Sequence, residues 1–255
     1  DQDWYLFDPA ETPDLTELYG EDFSARYKEY VKMAEAGKLR TFDKISARQQ
    51  FKRILTSLQA TSHPWLTWKD TINVRALNNN TGTIHLSNLC TEITLPQDKN
   101  NIATCNLISI NLSAFLSEDK TWDWDRLKEA ARAAVRQLDN LCDITQTPIP
   151  EAMHSNQQTR AIGLGMMGFS DVLEKLGYCY ESKEAYDLID QLTEFISYHA
   201  IDQSADLAKE LGSYPTFAGS GWSKGLLPID TVDKLSKDRG VKVKIDQKIR
   251  LDWDG

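Results

Sequence analysis

Asn88, Cys90 and Glu92 alternate along the chain, and in an extended segment a spacing of two puts an amide, a thiol and a carboxylate on one side of the backbone. A thiol serves as nucleophile, metal ligand or hydrogen-atom donor, and a carboxylate within reach of a substrate hydroxyl can take its proton. The amide can orient that hydroxyl by donating and accepting hydrogen bonds. A carboxylate so close to the sulfur favours chemistry of the S–H group over attack by a thiolate. The same letters also fit a plain edge strand, with two polar side chains in water beside a small buried cysteine. Spacing alone leaves both readings open.

The elements that must carry these residues follow from pattern. Asn78-Asn79-Asn80-Thr81-Gly82 is turn chemistry, and the period-two alternation from Ile84 to Ile93 predicts a strand. Ala103 to Leu112 predicts a second strand, with Asn106, Ile108, Ile110 and Leu112 on one face and Cys105, Leu107, Ser109 and Asn111 on the other. Helices are predicted from Tyr19 to Leu39, ending near Gly37, and from Ser46 to Leu58, where Phe51, Ile54, Leu55 and Leu58 form a stripe before His63-Pro64. Trp124 to Cys142 reads as a core helix with Asp123 or Asp125 near its N-terminus. Arg160–Leu176 and Lys183–Leu211, the latter closed by Gly212, are further helix candidates. This order points to an α/β class.

The chain has 255 residues, 41% hydrophobic and 26% charged, which is globular composition. Its net charge of −9 gives no global attraction to DNA or to an anionic membrane. No apolar run approaches the roughly 18 to 20 residues of a membrane span, and no signal peptide opens the sequence. A cytoplasmic protein without membrane or DNA partners is the expectation. Cys90, Cys105, Cys142 and Cys179 include no C-x-x-C pair, and no two histidines stand at i, i+4, so no metal site is predicted. Four cysteines in this length suit a reducing compartment, with Cys142 and Cys179 as packed structural thiols. Gly163, Gly165 and Gly168 match the dinucleotide fingerprint in letters but lack a preceding buried strand, so they are assigned to close packing between helices. His85 is read as an ordinary histidine, and Trp65, Trp68, Trp122 and Trp124 as packing residues.

The longer strings carry a resemblance. Ser87-Asn88-Leu89-Cys90-Thr91-Glu92-Ile93 before Leu95-Pro96, Cys105-Asn106-Leu107 leading to Ile110-Asn111-Leu112, and Arg160-Ala161-Ile162-Gly163-Leu164-Gly165-Met166-Met167-Gly168 together resemble the catalytic region of the large (alpha) subunit of class I ribonucleotide reductase. Phe7-Asp8-Pro9, Leu138-Asp139 before Asp143, and Lys224-Gly225 before Leu227-Pro228-Ile229-Asp230 extend the similarity along the chain.

The resemblance implies a ten-stranded α/β barrel with a central finger loop carrying Cys90, of which residues 1–255 are one incomplete segment. It implies reduction of ribonucleoside diphosphates: a thiyl radical on Cys90 removes the 3′ hydrogen of the ribose, Glu92 acts as base toward the 3′ hydroxyl, and Ser87 and Asn88 hold the sugar. Such a radical needs a water-poor position. Cys105 is implied as one member of a redox-active disulfide pair whose partner lies on a more N-terminal strand. No cofactor is implied for this segment, the radical coming from a metal-containing small subunit. The remaining segments of the large subunit, including its regulatory domain and the rest of the barrel, are implied partners, as is thioredoxin or glutaredoxin as reductant. The alternatives are a segment of an adenosylcobalamin-dependent class II reductase and a noncatalytic α/β interaction module.

Overall fold

The computed structural model describes residues 2–245 and 248–253. In chain order the elements are β1 (Asp3–Phe7), α1 (Gly20–Glu35), β2 (Phe42–Ser46), α2 (Ala47–Thr61), α3 (Lys69–Arg75), β3 (Leu107–Asn111), α4 (Trp124–Ile144), α5 (Pro150–Thr159), β4 (Gly163–Met167), α6 (Phe169–Leu176), α7 (Lys183–Leu211) and α8 (Thr231–Arg239). The content is mixed α/β, in two compact units comprising 1–97 with 219–243, and 98–218 with 244–255. The described strands form two two-stranded sheets and no closed barrel.

In the first unit β1 and β2 pair antiparallel, Asp3 opposite Ser46 through Phe7 opposite Phe42. Their inner face packs Tyr5 against Tyr30, Ala34 and Leu39. α1 stops where Gly37 takes φ +69°, a conformation that suits glycine. The Ser46 hydroxyl accepts from the Gln49 amide and caps α2. The apolar stripe of α2 does not become core within this unit: none of its residues is buried, and Phe51 is half exposed. Trp65 and Trp68 are likewise exposed, so they are not core residues of this unit. α3 and α8 pack together, Arg75 Nε donating to Thr231 Oγ1 at 3.0 Å.

In the second unit β3 and β4 run parallel, Leu107 opposite Gly163 through Asn111 opposite Met167, joined through α4 and α5. Asp123 caps α4 by accepting from the Arg126 amide, and Ser182 caps α7 by accepting from the Ala185 amide. Both helices keep their sequence-derived spans nearly residue for residue. They pack on each other, with Leu127, Ala131, Leu192 and Ile196 joining Ile110 and Leu112 in one core cluster. Trp122 and Trp124 pack against it as predicted. The segment 160–176 differs from the single helix predicted, because its first half is the strand β4. A Cβ at Gly163 would meet the end of the Leu107 side chain across the sheet, and Gly168 turns the chain into α6 at φ +77°.

Candidate functional site

The segment bearing Asn88, Cys90 and Glu92 is anchored at its entry by Asn73, a fully buried side chain on α3. Asn73 Oδ1 accepts from the Ile84 amide at 2.8 Å, and its Nδ2 donates to the Ile84 carbonyl at 2.8 Å and to Lys69 O at 3.0 Å. Both faces of the amide are thereby satisfied, as burial demands. Ile84 itself is 1% exposed. Next to it, Thr83 Oγ1 donates to the Glu17 carbonyl at 2.8 Å, and His85 Nε2 lies 3.4 Å from Glu17 Oε1. His85 therefore faces a carboxylate of the opening segment.

Beyond this anchor the chain does not form the predicted strand. The Thr91 amide donates to Asn88 O at 3.1 Å, making a turn, and Thr91 takes φ +66°. Asn88 Oδ1 accepts from the Ile93 amide at 3.1 Å, while Ser87 Oγ donates to Ile93 O at 2.7 Å. Side chains of Ser87 and Asn88 thus take backbone groups that a sheet ladder would use. The result is a loop tied at Ser87, Asn88 and Ile93, with Cys90 in its turn. Asn88, Leu89, Cys90 and Glu92 are all exposed. The sheltered thiol that the sequence suggested is absent from this chain by itself, because among the described residues nothing buries the turn.

Cys105 belongs to the second unit, just before β3. The face assignment drawn from alternation holds: Asn106, Ile110 and Leu112 are buried, Ile108 is partly buried, and Cys105, Leu107, Ser109 and Asn111 are exposed. Asn106 points inward, its Nδ2 donating to Asn156 Oδ1 at 2.8 Å, while Asn156 Nδ2 donates to Cys142 O at 2.9 Å. Burial pushes the Cys142 thiol up, in keeping with an inert packed sulfur. Cys179, assigned the same role from sequence, is exposed instead. At the end of α5, Arg160 takes φ +45° and pairs with Asp139 at 2.9 Å and Asp143 at 2.6 Å on α4. Its hydrogen bonds hold the Asp143 carboxyl below the ordinary carboxylate range. Among the described residues no group of three or more His, Cys, Asp or Glu side chains is arranged to hold a metal. No described helix is long and apolar enough to cross a membrane.

A family model described as "Ribonucleotide reductase, barrel domain" matches residues 1–255. The chain belongs to the ribonucleotide reductase barrel-domain family. Over 252 residues it is 43% identical to the ribonucleoside-diphosphate reductase subunit alpha of Chlamydia muridarum, covering 98% of this chain and 24% of that protein. The large subunit of Danio rerio is 35% identical over 250 residues, 98% of this chain and 31% of the relative. That of Variola virus is 37% identical over 250 residues, 98% and 32%. The chain therefore spans about a quarter to a third of the length of these relatives. Against this family background, sequence reasoning missed the residues and pairings that hold the loop and the strand: Asn73, Asn156 and the ion pairs of Arg160 with Asp139 and Asp143. The spacing of Asp139 and Asp143 by four on α4 was the available signal for the last of these.

Proposed function

We propose that this chain is a central segment of the catalytic barrel of a ribonucleoside-diphosphate reductase large subunit, and that both its units belong to that one ten-stranded α/β barrel. The match of the barrel family over every residue of the chain carries the reading. The loop tied at Ser87, Asn88 and Ile93 supports it, since it fits the finger that presents a cysteine to substrate. The remaining segments of the large subunit then supply the walls that keep water from Cys90, whose exposure here suits a surface completed by other parts of the assembly.

In this reading a thiyl radical on Cys90 takes the 3′ hydrogen atom of the ribose and returns it to the same carbon at the end of the turnover, while Glu92 takes the proton of the 3′ hydroxyl and gives it back. Asn88, with Ser87, holds the sugar. Cys105 and a second cysteine of the assembled enzyme each give up one electron and one proton, forming a disulfide, while the 2′ hydroxyl leaves as water. Substrate plus two thiols thus becomes deoxynucleotide, disulfide and water. A metal-containing small subunit supplies the radical, and thioredoxin or glutaredoxin restores the dithiol in the cytoplasm.

The test is turnover of the assembled enzyme with Cys90→Ser. Loss of nucleoside diphosphate reduction is expected, and retained reduction would refute the assignment. Activity that requires a small subunit supports the two-subunit class, whereas activity with adenosylcobalamin alone would move the chain to the cobalamin class.

A further inference from the structure

The residues on either side of Cys105 are both tied to one helix. Thr104 Oγ1 donates to Ala152 O at 3.0 Å, in the first turn of α5. Asn106, on the other side, is bound through Asn156 one turn further along the same helix. The Ile102 amide reaches Glu151 O at 3.4 Å, and the Gly163 amide donates to Asn106 O at 2.9 Å. α5 is itself fixed to α4 at its far end, by Asn156 to Cys142 O and by Arg160 to Asp139 and Asp143. A polar helix with a weak apolar face has thus been placed alongside residues 102–106 as a splint, and its buried polar side chains Ser155 and Asn156 face inward. The exposed thiol sits between the two tethers.

We infer that Thr104 and Asn156 are positioning residues for Cys105, fixing the backbone on both sides of the sulfur so that it meets its partner thiol without a search. The inference rests on the redox role proposed above for Cys105. Disulfide bonds form only within narrow limits, with Cβ atoms roughly 3.5 to 4.5 Å apart, so a thiol on a mobile segment would form its bond more slowly. Placement errors of about 1 Å at a reacting group cost on the order of a hundredfold in rate. Loosening one of two tethers is a smaller error.

The experiment uses the assembled reductase, reduced beforehand and then freed of external reductant, so that product formed in the first burst reports formation of the disulfide. Thr104→Val, which keeps the shape of the side chain and deletes the donor, is expected to slow the burst about tenfold while KM changes less than twofold. Thr104→Ser, which keeps the hydroxyl, should restore the wild-type burst. Asn156→Ser, which severs the other tether, should slow it likewise. A wild-type burst in Thr104→Val or Asn156→Ser, or a slow one in Thr104→Ser, overturns the inference. Cys105→Ser separates the two levels: sustained turnover with a dithiol reductant in that variant removes the redox role itself, whereas a dead Cys105→Ser beside a fast Thr104→Val removes only the positioning role.

Discussion

Gly168 and Gly177 bracket α6 with nearly the same backbone conformation, φ +77° and φ +78°, in different surroundings. Alanine at either position incurs the left-handed penalty of about 1–2 kcal/mol, partly offset by the smaller entropy of the unfolded chain. At Gly177 none of the described residues comes within 4 Å of the new Cβ, so that is the whole effect. At Gly168 the Cβ would stand 2.6 Å from Asn111 Oδ1. That oxygen accepts from Ser113 N at 3.3 Å and from Ser113 Oγ at 2.9 Å, fixing the exit of β3. Displacing it loses two hydrogen bonds at about 1 kcal/mol each, so Gly168→Ala should be about 2 kcal/mol less stable than Gly177→Ala. In a chain of this size that corresponds to a further fall in Tm of about 4–8 °C. Thermal and urea unfolding of the two variants side by side check it. Equal stabilities, or a milder Gly168→Ala, would refute the reasoning about close approach between the β3 exit and the start of α6.

Other changes should act in stated directions. Leu192→Ala removes a fully buried side chain from the α4–α7 core and should cost about 2–5 kcal/mol in urea unfolding. Arg160→Met leaves Asp139, whose side chain is 19% exposed, without its cation; a loss of about 1–3 kcal/mol is expected, recovered in part by the double variant with Asp139→Asn. His199 is buried in α7 between Phe195 and Tyr198, its Nδ1 without a hydrogen-bond partner among the described residues, and faces Lys128, Arg132 and Asp202. Burial lowers its pKa, so the unfolded chain takes up the proton first. The stability it contributes is complete above the ordinary histidine value of about 6.5 and is lost as pH falls through the lower folded value. The urea midpoint of the wild type should therefore drop between pH 7 and pH 5 more steeply than that of His199→Leu; parallel profiles would contradict this.

Helices α4 and α7 of the second unit were legible because local signals agree with burial. Asp123 and Ser182 are capping residues placed directly before amphipathic runs, and Leu127, Leu138 and Leu192 fall on the faces that the core uses. The strand β4 was not legible, since glycine has low strand propensity and its role here depends on Leu107 across the sheet. Around Cys90 the alternation of residue types is present, but alternation predicts a strand only where a neighbour supplies the ladder. Ser87 and Asn88 capture the Ile93 backbone instead, and the three chemical side chains appear on a tied loop. The stripe of Phe51 and Leu55 on α2 shows the converse, a correctly read helix whose apolar face stays exposed within this chain. The anchors of both cysteine segments, Asn73 and Asn156, were invisible because a buried asparagine has no pattern in sequence; only the backbone groups it satisfies give it a role.

The central claim is that the sulfur of Cys90 breaks the 3′ C–H bond of a ribonucleotide. The assembled enzyme given a nucleoside diphosphate tritiated at the 3′ carbon tests it without waiting for product. Wild-type protein should turn over the labelled substrate more slowly than the unlabelled one and pass a small fraction of the tritium to water through the Cys90 S–H, and Cys90→Ser should release none even with substrate bound. Release from Cys90→Ser at the wild-type rate would contradict the account.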